Sequence, residues 1–242
     1  MSGPRVTSGS DSKQDYQTPD DFLRGAVEKR FGPIQFDLAA HAGNAKHARY
    51  FAPLTFARKI DLSKVKGPEY FTAMAAELAR QGASFKAAEE VLLPVVKRWS
   101  EGDESDVELV FKNEDSNAYG FDALAHSWAE LSKKFSQPDG IPGLLWLNCE
   151  FGDIAPWAKK AMEEGRQGAN VLLLTPLSLA NWYRDFVAGK ADVDHLSGRL
   201  CFDGKNPFSK DCMLSHFNEG ARGQLTVWNW KTGEFHHVWI VP

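Results

Sequence analysis

Asn148-Cys149-Glu150-Phe151 sets a carboxamide, a thiol, a carboxylate and an aromatic ring side by side, directly after the apolar run Leu144-Leu145-Trp146-Leu147. An enzyme that modifies an exocyclic amino group must take the base out of its stack, lay it on a ring and accept hydrogen bonds from the amino group. Asn148 Oδ1 could be that acceptor and Phe151 that ring. A thiolate at Cys149 could instead add to C6 of a pyrimidine and activate C5, with Glu150 managing protons. Four residues of these types also make an ordinary loop, so the elements around them must decide.

Those elements read as an α/β fold. Gly32 and Pro33 stop a first helix that starts at Pro19, with Phe22, Leu23, Ala26 and Val27 as its buried stripe. Thr18 could be only the cap of that helix. Ile34 to Leu38 reads as a short strand delivering Asp37 at its carboxyl end, where open parallel sheets bind ligands. From Leu144 the rhythm is strand, helix, strand, helix: 144–147, 156–165, 171–175 and 177–187. Short apolar strands joined by single helices imply parallel crossovers and a sheet covered on both faces. Leu225 to Trp230 and Phe235 to Val241 alternate about Lys231-Thr232-Gly233-Glu234, an antiparallel hairpin.

Residues 56–115 have another texture. Ala-rich helical spacing covers 68–81 and 84–99, with Pro94 as a kink, and Val107-Leu109-Phe111 alternates as a single strand. The expected organisation is a tail at 1–15, a main domain of 16–55 and 116–242, and a mainly helical insertion at 56–115. That insertion is the expected place for target recognition or a protein partner.

Composition narrows the class. The 242 residues, 43% hydrophobic and 25% charged, suit a soluble globular chain, and the net charge of −4 gives no overall attraction to nucleic acid. A local basic face could still serve: residues 46–66 hold six Lys/Arg against Asp61 alone, a local +5. Three cysteines without CxxC spacing indicate neither a disulfide framework nor a metal site, and no run is apolar enough for a membrane span. A cytoplasmic location is the simplest expectation.

Taken in order, Tyr16-Gln17-Thr18-Pro19, Phe36-Asp37-Leu38-Ala39-Ala40, Asn44-Ala45-Lys46, Phe121-Asp122-Ala123-Leu124, Trp146-Leu147-Asn148, Pro156-Trp157, Leu174-Thr175-Pro176, Asn181-Trp182-Tyr183 and Gly198-Arg199-Leu200-Cys201-Phe202 resemble the bacteriophage-type DNA N6-adenine methyltransferase family. The resemblance spans most of 16–217, interrupted at about 56–115. It implies a Rossmann-like class I methyltransferase fold and S-adenosylmethionine as methyl donor. By position it implies that Thr18 and Pro19 lie beside the methionine part of the cofactor, Asp37, Ala39 and Ala40 form the first cofactor motif, and Asp122 and Leu124 lie near the adenosine. Asp122 could otherwise cap a helix running to Lys134.

Two departures stand out. The loop Ala40-His41-Ala42-Gly43 holds one glycine, with Leu38 where the family commonly has proline. Cys149-Glu150 replaces the Pro-Pro that stiffens the family's amide-to-aromatic motif. Three functions remain open: N6-adenine methylation using Asn148 and Phe151, with Glu150 as a further acceptor; pyrimidine C5 modification with Cys149 as nucleophile; and a catalytically inactive relative that binds nucleic acid or a protein. The first is the leading expectation, with DNA as partner and no metal.

Overall fold

The computed structural model describes residues 17–40, 43–52, 55–80, 83, 85–112 and 117–239. The expected tail at 1–15, Tyr16, and the loop residues His41 and Ala42 lie outside them.

Leu144–Leu147 is buried at every position because helices cover both faces of its sheet, and Asn170–Pro176 repeats the pattern after a half-buried Asn170. In chain order the strands are β1 Ile34–Asp37, β2 Phe51–Ala52, β3 Thr55–Asp61, β4 Asp106–Lys112, β5 Gly120–Phe121, β6 Leu144–Leu147, β7 Asn170–Pro176, β8 Asp192–Ser197, β9 Cys212–Phe217, β10 Leu225–Asn229 and β11 Phe235–Trp239. Seven form one mixed sheet in the order β1-β6-β7-β9-β8-β10-β11. β1, β6 and β7 run parallel, β9 enters reversed between β7 and β8, and β10 with β11 closes the far side as the expected hairpin. The architecture is α/β and compatible with a Rossmann-like fold.

Alternate residues of β6 and β7 feed two cores. Trp146, Leu172 and Leu174 meet Phe22, Leu23, Ala26 and Val27 of the first helix on one face. Leu145, Leu147, Val171 and Leu173 meet Ala158 and Ala161 of the helix Ala155–Gly165 on the other, with Trp128 and Leu131 of the helix Trp128–Lys134. Gly165 is required there: a Cβ would stand 2.9 Å from Phe217 Cβ on β9.

The first helix differs from expectation at its start. Pro19 is the N-cap, its carbonyl accepting from Leu23 N at 2.9 Å, and helix begins at Asp20, so Thr18 does not cap it. A π-helical turn, Leu23–Val27, widens its middle before Gly32 ends it at φ 92°. Asp122 is no helix cap either. It stands at φ 55°, ψ 72° before a short 3-10 turn, and Ser127 Oγ accepts from Glu130 N to cap the helix Trp128–Lys134. Glu164, from the helix packed alongside, completes that cap: its Oε2 accepts from Trp128 N and Ala129 N, both at 2.9 Å. Burial alone would raise the Glu164 pKa, but Lys160 Nζ at 2.6 Å and these two amides outweigh it and hold it below the ordinary value.

The expected helix at 177–187 is shorter, Asn181–Phe186, because Leu177 N is drawn to Asp211 O at 2.8 Å and the chain stays extended past β7. The segment at 56–115 differs more. Its helices, Glu69–Arg80 and Phe85–Ser100, are joined by a seven-residue antiparallel pairing of β3 with β4, from Thr55↔Lys112 to Asp61↔Asp106. The single expected strand therefore has a partner. The unit is two helices on a two-stranded ribbon, with Ile60, Leu78, Leu92 and Leu109 in a core of its own.

Candidate functional site

Strand order reverses beside β1. On one side β1 pairs with β6; on the other Asp37 bridges Tyr50 in parallel and leads to β2, which pairs in parallel with β5. The chain therefore leaves β1 in one direction and later returns to build in the other. Crevices outside the carboxyl ends of strands at such a switch are where open α/β sheets hold ligands. The residues that follow β1, β5 and β6 are 38–40, Asp122 and 148–151, which the sequence reading had singled out.

Asp37 is buried and turned into its own loop. Oδ2 accepts from Lys46 N at 2.9 Å and Oδ1 from Ala39 N at 3.3 Å. Burial pushes its carboxyl up to about 6, against the opposing pull of those amides and of the Lys46 charge. Ala40 N donates to Phe51 O at 3.1 Å, and its methyl packs with Tyr50 and Ala52, while Ala39 is half-buried against the main core. Asp122 is exposed past β5, its amide donating to Ala52 O at 3.3 Å, and Leu124 packs on the main core. A non-glycine residue in the left-handed region is uncommon, and aspartate is among the few that tolerate it.

After β6, Asn148 Nδ2 donates to Thr18 Oγ1 at 3.2 Å, across 130 positions of sequence. That contact fixes the amide plane, with Nδ2 as the donor end and Oδ1, buried from solvent, as the acceptor end of the group. Thr18 is itself 2% exposed, held where the chain enters the first helix. The Phe151 ring lies 6.0 Å from Phe202 and 5.9 Å from Phe208, which lie 5.3 Å from each other. Phe151 thus belongs to a three-ring wall, two members of which come from the segment after β8.

The two central residues part company. Cys149 is 5% exposed and packs in the main core, where burial first, and then the charges of Asp153 and Glu150, push its thiol far above the ordinary value. A thiolate there is disfavoured at neutral pH. The Glu150 side chain is exposed, and partial burial together with Asp153 raises its pKa.

A cleft of about 590 Å³ opens next to Thr18 and Phe202, the partners of Asn148 and Phe151; of the expected cofactor and catalytic residues only Thr18 and Pro19 border it, with Arg199 and Phe202 after β8 and Trp230 and Lys231 after β10. Lys46 also borders it, paired with Asp20 at 3.1 Å. Phe202 was visible in the sequence only as part of the segment from Gly198. Trp230 reads in the sequence as one of the hairpin's alternating aromatics, suited to stacking or packing, and Lys231 as a turn residue; their place at the cleft depends on the hairpin docking beside β8. The basic run 46–66 does not form one face: Lys46 borders the cleft, Arg49 lies over the Phe135 ring at 4.4 Å, and Lys64 pairs with Asp61 at 2.6 Å on the separate unit. Arg199 is exposed and paired with Asp211 at 3.4 Å.

Among the described residues no group of three or more His, Cys, Asp or Glu is arranged to hold a metal ion, and no helix is long and apolar enough to cross a membrane. No protein-family model and no curated protein matches the chain.

Proposed function

We propose that the chain is an S-adenosylmethionine-dependent DNA methyltransferase acting on the N6 amino group of adenine. The observation that carries this reading is the Thr18–Asn148 contact, which holds a carboxamide at the end of β6, beside the strand-order switch. The reading draws further support from the resemblance of the ordered segments to the phage-type family.

The residues at the edge suit a nucleoside-bearing cofactor. The exposed carboxylate of Asp122 is an acceptor for hydroxyl or amino donors, Ala39 and Ala40 add no bulk beside the end of β1, and Thr18 and Pro19 border the cleft. Asp37 takes a different part from the one the resemblance implies: its oxygens are committed to Lys46 N and Ala39 N, so it shapes the cofactor loop rather than reaching out of it. The cofactor would supply an electrophilic methyl group.

The chain's own residues then have separable tasks. The adenine amino nitrogen is a weak nucleophile because its lone pair is delocalised into the ring. Asn148 Oδ1, accepting from one of its N–H groups, shifts density toward that nitrogen and aims it. Such an oriented acceptor is worth about 10²–10³-fold in rate. The Phe151, Phe202 and Phe208 wall gives the extruded base an apolar surface. Glu150, with its raised pKa, is the nearest exposed carboxylate in sequence to take up the proton that the nitrogen releases. Pyrimidine addition by Cys149 is disfavoured by the burial of that thiol.

Heating the purified chain with and without S-adenosylmethionine tests the reading. A ligand at 100 times its Kd stabilises by about 2.7 kcal/mol, a rise in melting temperature of roughly 5–10 °C for a chain of this size. An unchanged melting temperature at millimolar cofactor would leave only a non-catalytic binding role.

A further inference from the structure

A second, smaller groove of about 290 Å³ runs between the first helix and the hairpin of β10 and β11. Gly25, Lys29 and Arg30 form one wall, and Trp230, Lys231 and Phe235 belong to the other. It shares Trp230 and Lys231 with the larger cleft, so the two openings are continuous around that corner.

Its charges are of one sign. No carboxylate lines it, in contrast to the larger cleft, where Asp20, Asp21 and Asp203 stand among the cations. Arg30 is held from behind, paired with the buried Asp194 at 2.8 Å, with its guanidinium over the rings of Phe31, Trp228 and Phe235 at 4.5–4.7 Å. It braces the wall and its charge is balanced. Lys29 and Lys231 are different: both are exposed, and neither has a carboxylate partner among the described residues. The Lys231 ammonium stands 5.3 Å above the Trp230 ring, which is fixed in turn by its Nε1 donating to Gly198 O at 2.8 Å.

We propose that this groove seats the phosphodiester backbone of duplex DNA flanking the target base, with Lys29 and Lys231 as its phosphate contacts. The inference rests on the reading of the chain as acting on DNA, and it adds where the strand runs. Two uncompensated cations on a chain of net charge −4 give the local attraction that composition as a whole does not. Continuity with the larger cleft through Lys231 lets one strand occupy the groove while a base from it turns toward Asn148.

The test is the salt dependence of DNA affinity, read by fluorescence anisotropy of a labelled duplex between 50 and 200 mM salt. Each phosphate contact contributes about 0.9 to the slope of log affinity against log salt. The Lys29→Gln/Lys231→Gln pair should therefore lower the slope by about 2, while Lys29→Arg/Lys231→Arg keeps it. Melting temperature should stay at the wild-type value in both, and the cofactor-induced shift should stay at its wild-type value in Lys29→Gln alone, since Lys29 lines the groove and not the larger cleft. An unchanged slope in the glutamine pair overturns the groove and leaves the methyltransferase reading intact. Binding of polyglutamate in place of duplex DNA overturns it in favour of an acidic peptide. Absence of any DNA binding by the wild-type chain also overturns it, while the cofactor-induced shift judges the methyltransferase reading separately.

Discussion

The loops that leave β1 and β6 stand side by side at the same edge of the sheet and are built in opposite ways. The loop after β1 is tied inward: the buried Asp37 carboxylate accepts from two backbone amides of its own loop, and Ala40 N returns to Phe51 O. The loop after β6 is tied outward. Asn148 reaches Thr18 and Phe151 reaches Phe202 and Phe208, all on other segments. An inward-tied loop presents a fixed backbone, which suits holding a ligand. An outward-tied loop presents oriented side chains, which suits acting on one.

Damage to the two loops therefore falls mainly on activity in one and on stability in the other. The largest effect falls on the β6 side: Asn148→Ala should cut methyl transfer about 10²–10³-fold, with a smaller loss of melting temperature from the unpaired Thr18 hydroxyl, measured by single-turnover methylation and calorimetry. Next, Asp37→Ala should unfold at lower denaturant at pH 5, by about 2–4 kcal/mol, because two amides lose their acceptor.

The pH dependence sharpens the same contrast. The Asp37 carboxyl is raised to about 6, so its stabilising contribution is complete below its unfolded value and is lost as pH rises through about 6. The deficit of Asp37→Ala should accordingly shrink toward pH 8. His216 has the opposite sign: burial lowers it to about 4, so its contribution is present above its unfolded value and is lost as pH falls toward 4. The two act in opposite directions between pH 4 and 6 in the wild-type chain. His216→Gln should unmask a stability that falls as pH rises, seen in urea midpoints across that window. The smallest effect is reserved for the buried thiol. Cys149→Ser should cost about 1 kcal/mol of stability and leave methyl transfer within a factor of two. Loss of turnover there would contradict the division between the loops.

Much of the scaffold was legible in the sequence. The buried runs 144–147 and 170–176, the short strand ending at Asp37 and the hairpin about residues 231–234 announce themselves through period and turn residues. β3 did not, because Arg58 sits on the face that Ile60 buries and breaks the alternation of its strand, which only the pairing with β4 reveals. Thr18 was legible as a type but not in its role: a helix cap and a partner for Asn148 look alike until the two segments meet. The same holds for Glu164, whose capping of the helix Trp128–Lys134 depends on packing between two helices. The ends of the Asn148–Phe151 stretch could be read from chemistry alone. Its middle needed burial to separate a core thiol from an exposed carboxylate.

The central claim, amino methylation governed by Asn148, is tested most directly by digesting DNA from cells that express the chain and measuring modified nucleosides by mass spectrometry. The account predicts N6-methyladenine with the wild-type protein and its loss with Asn148→Ala. Methyl groups on C5 of a pyrimidine, or N6-methyladenine undiminished by Asn148→Ala, would contradict it.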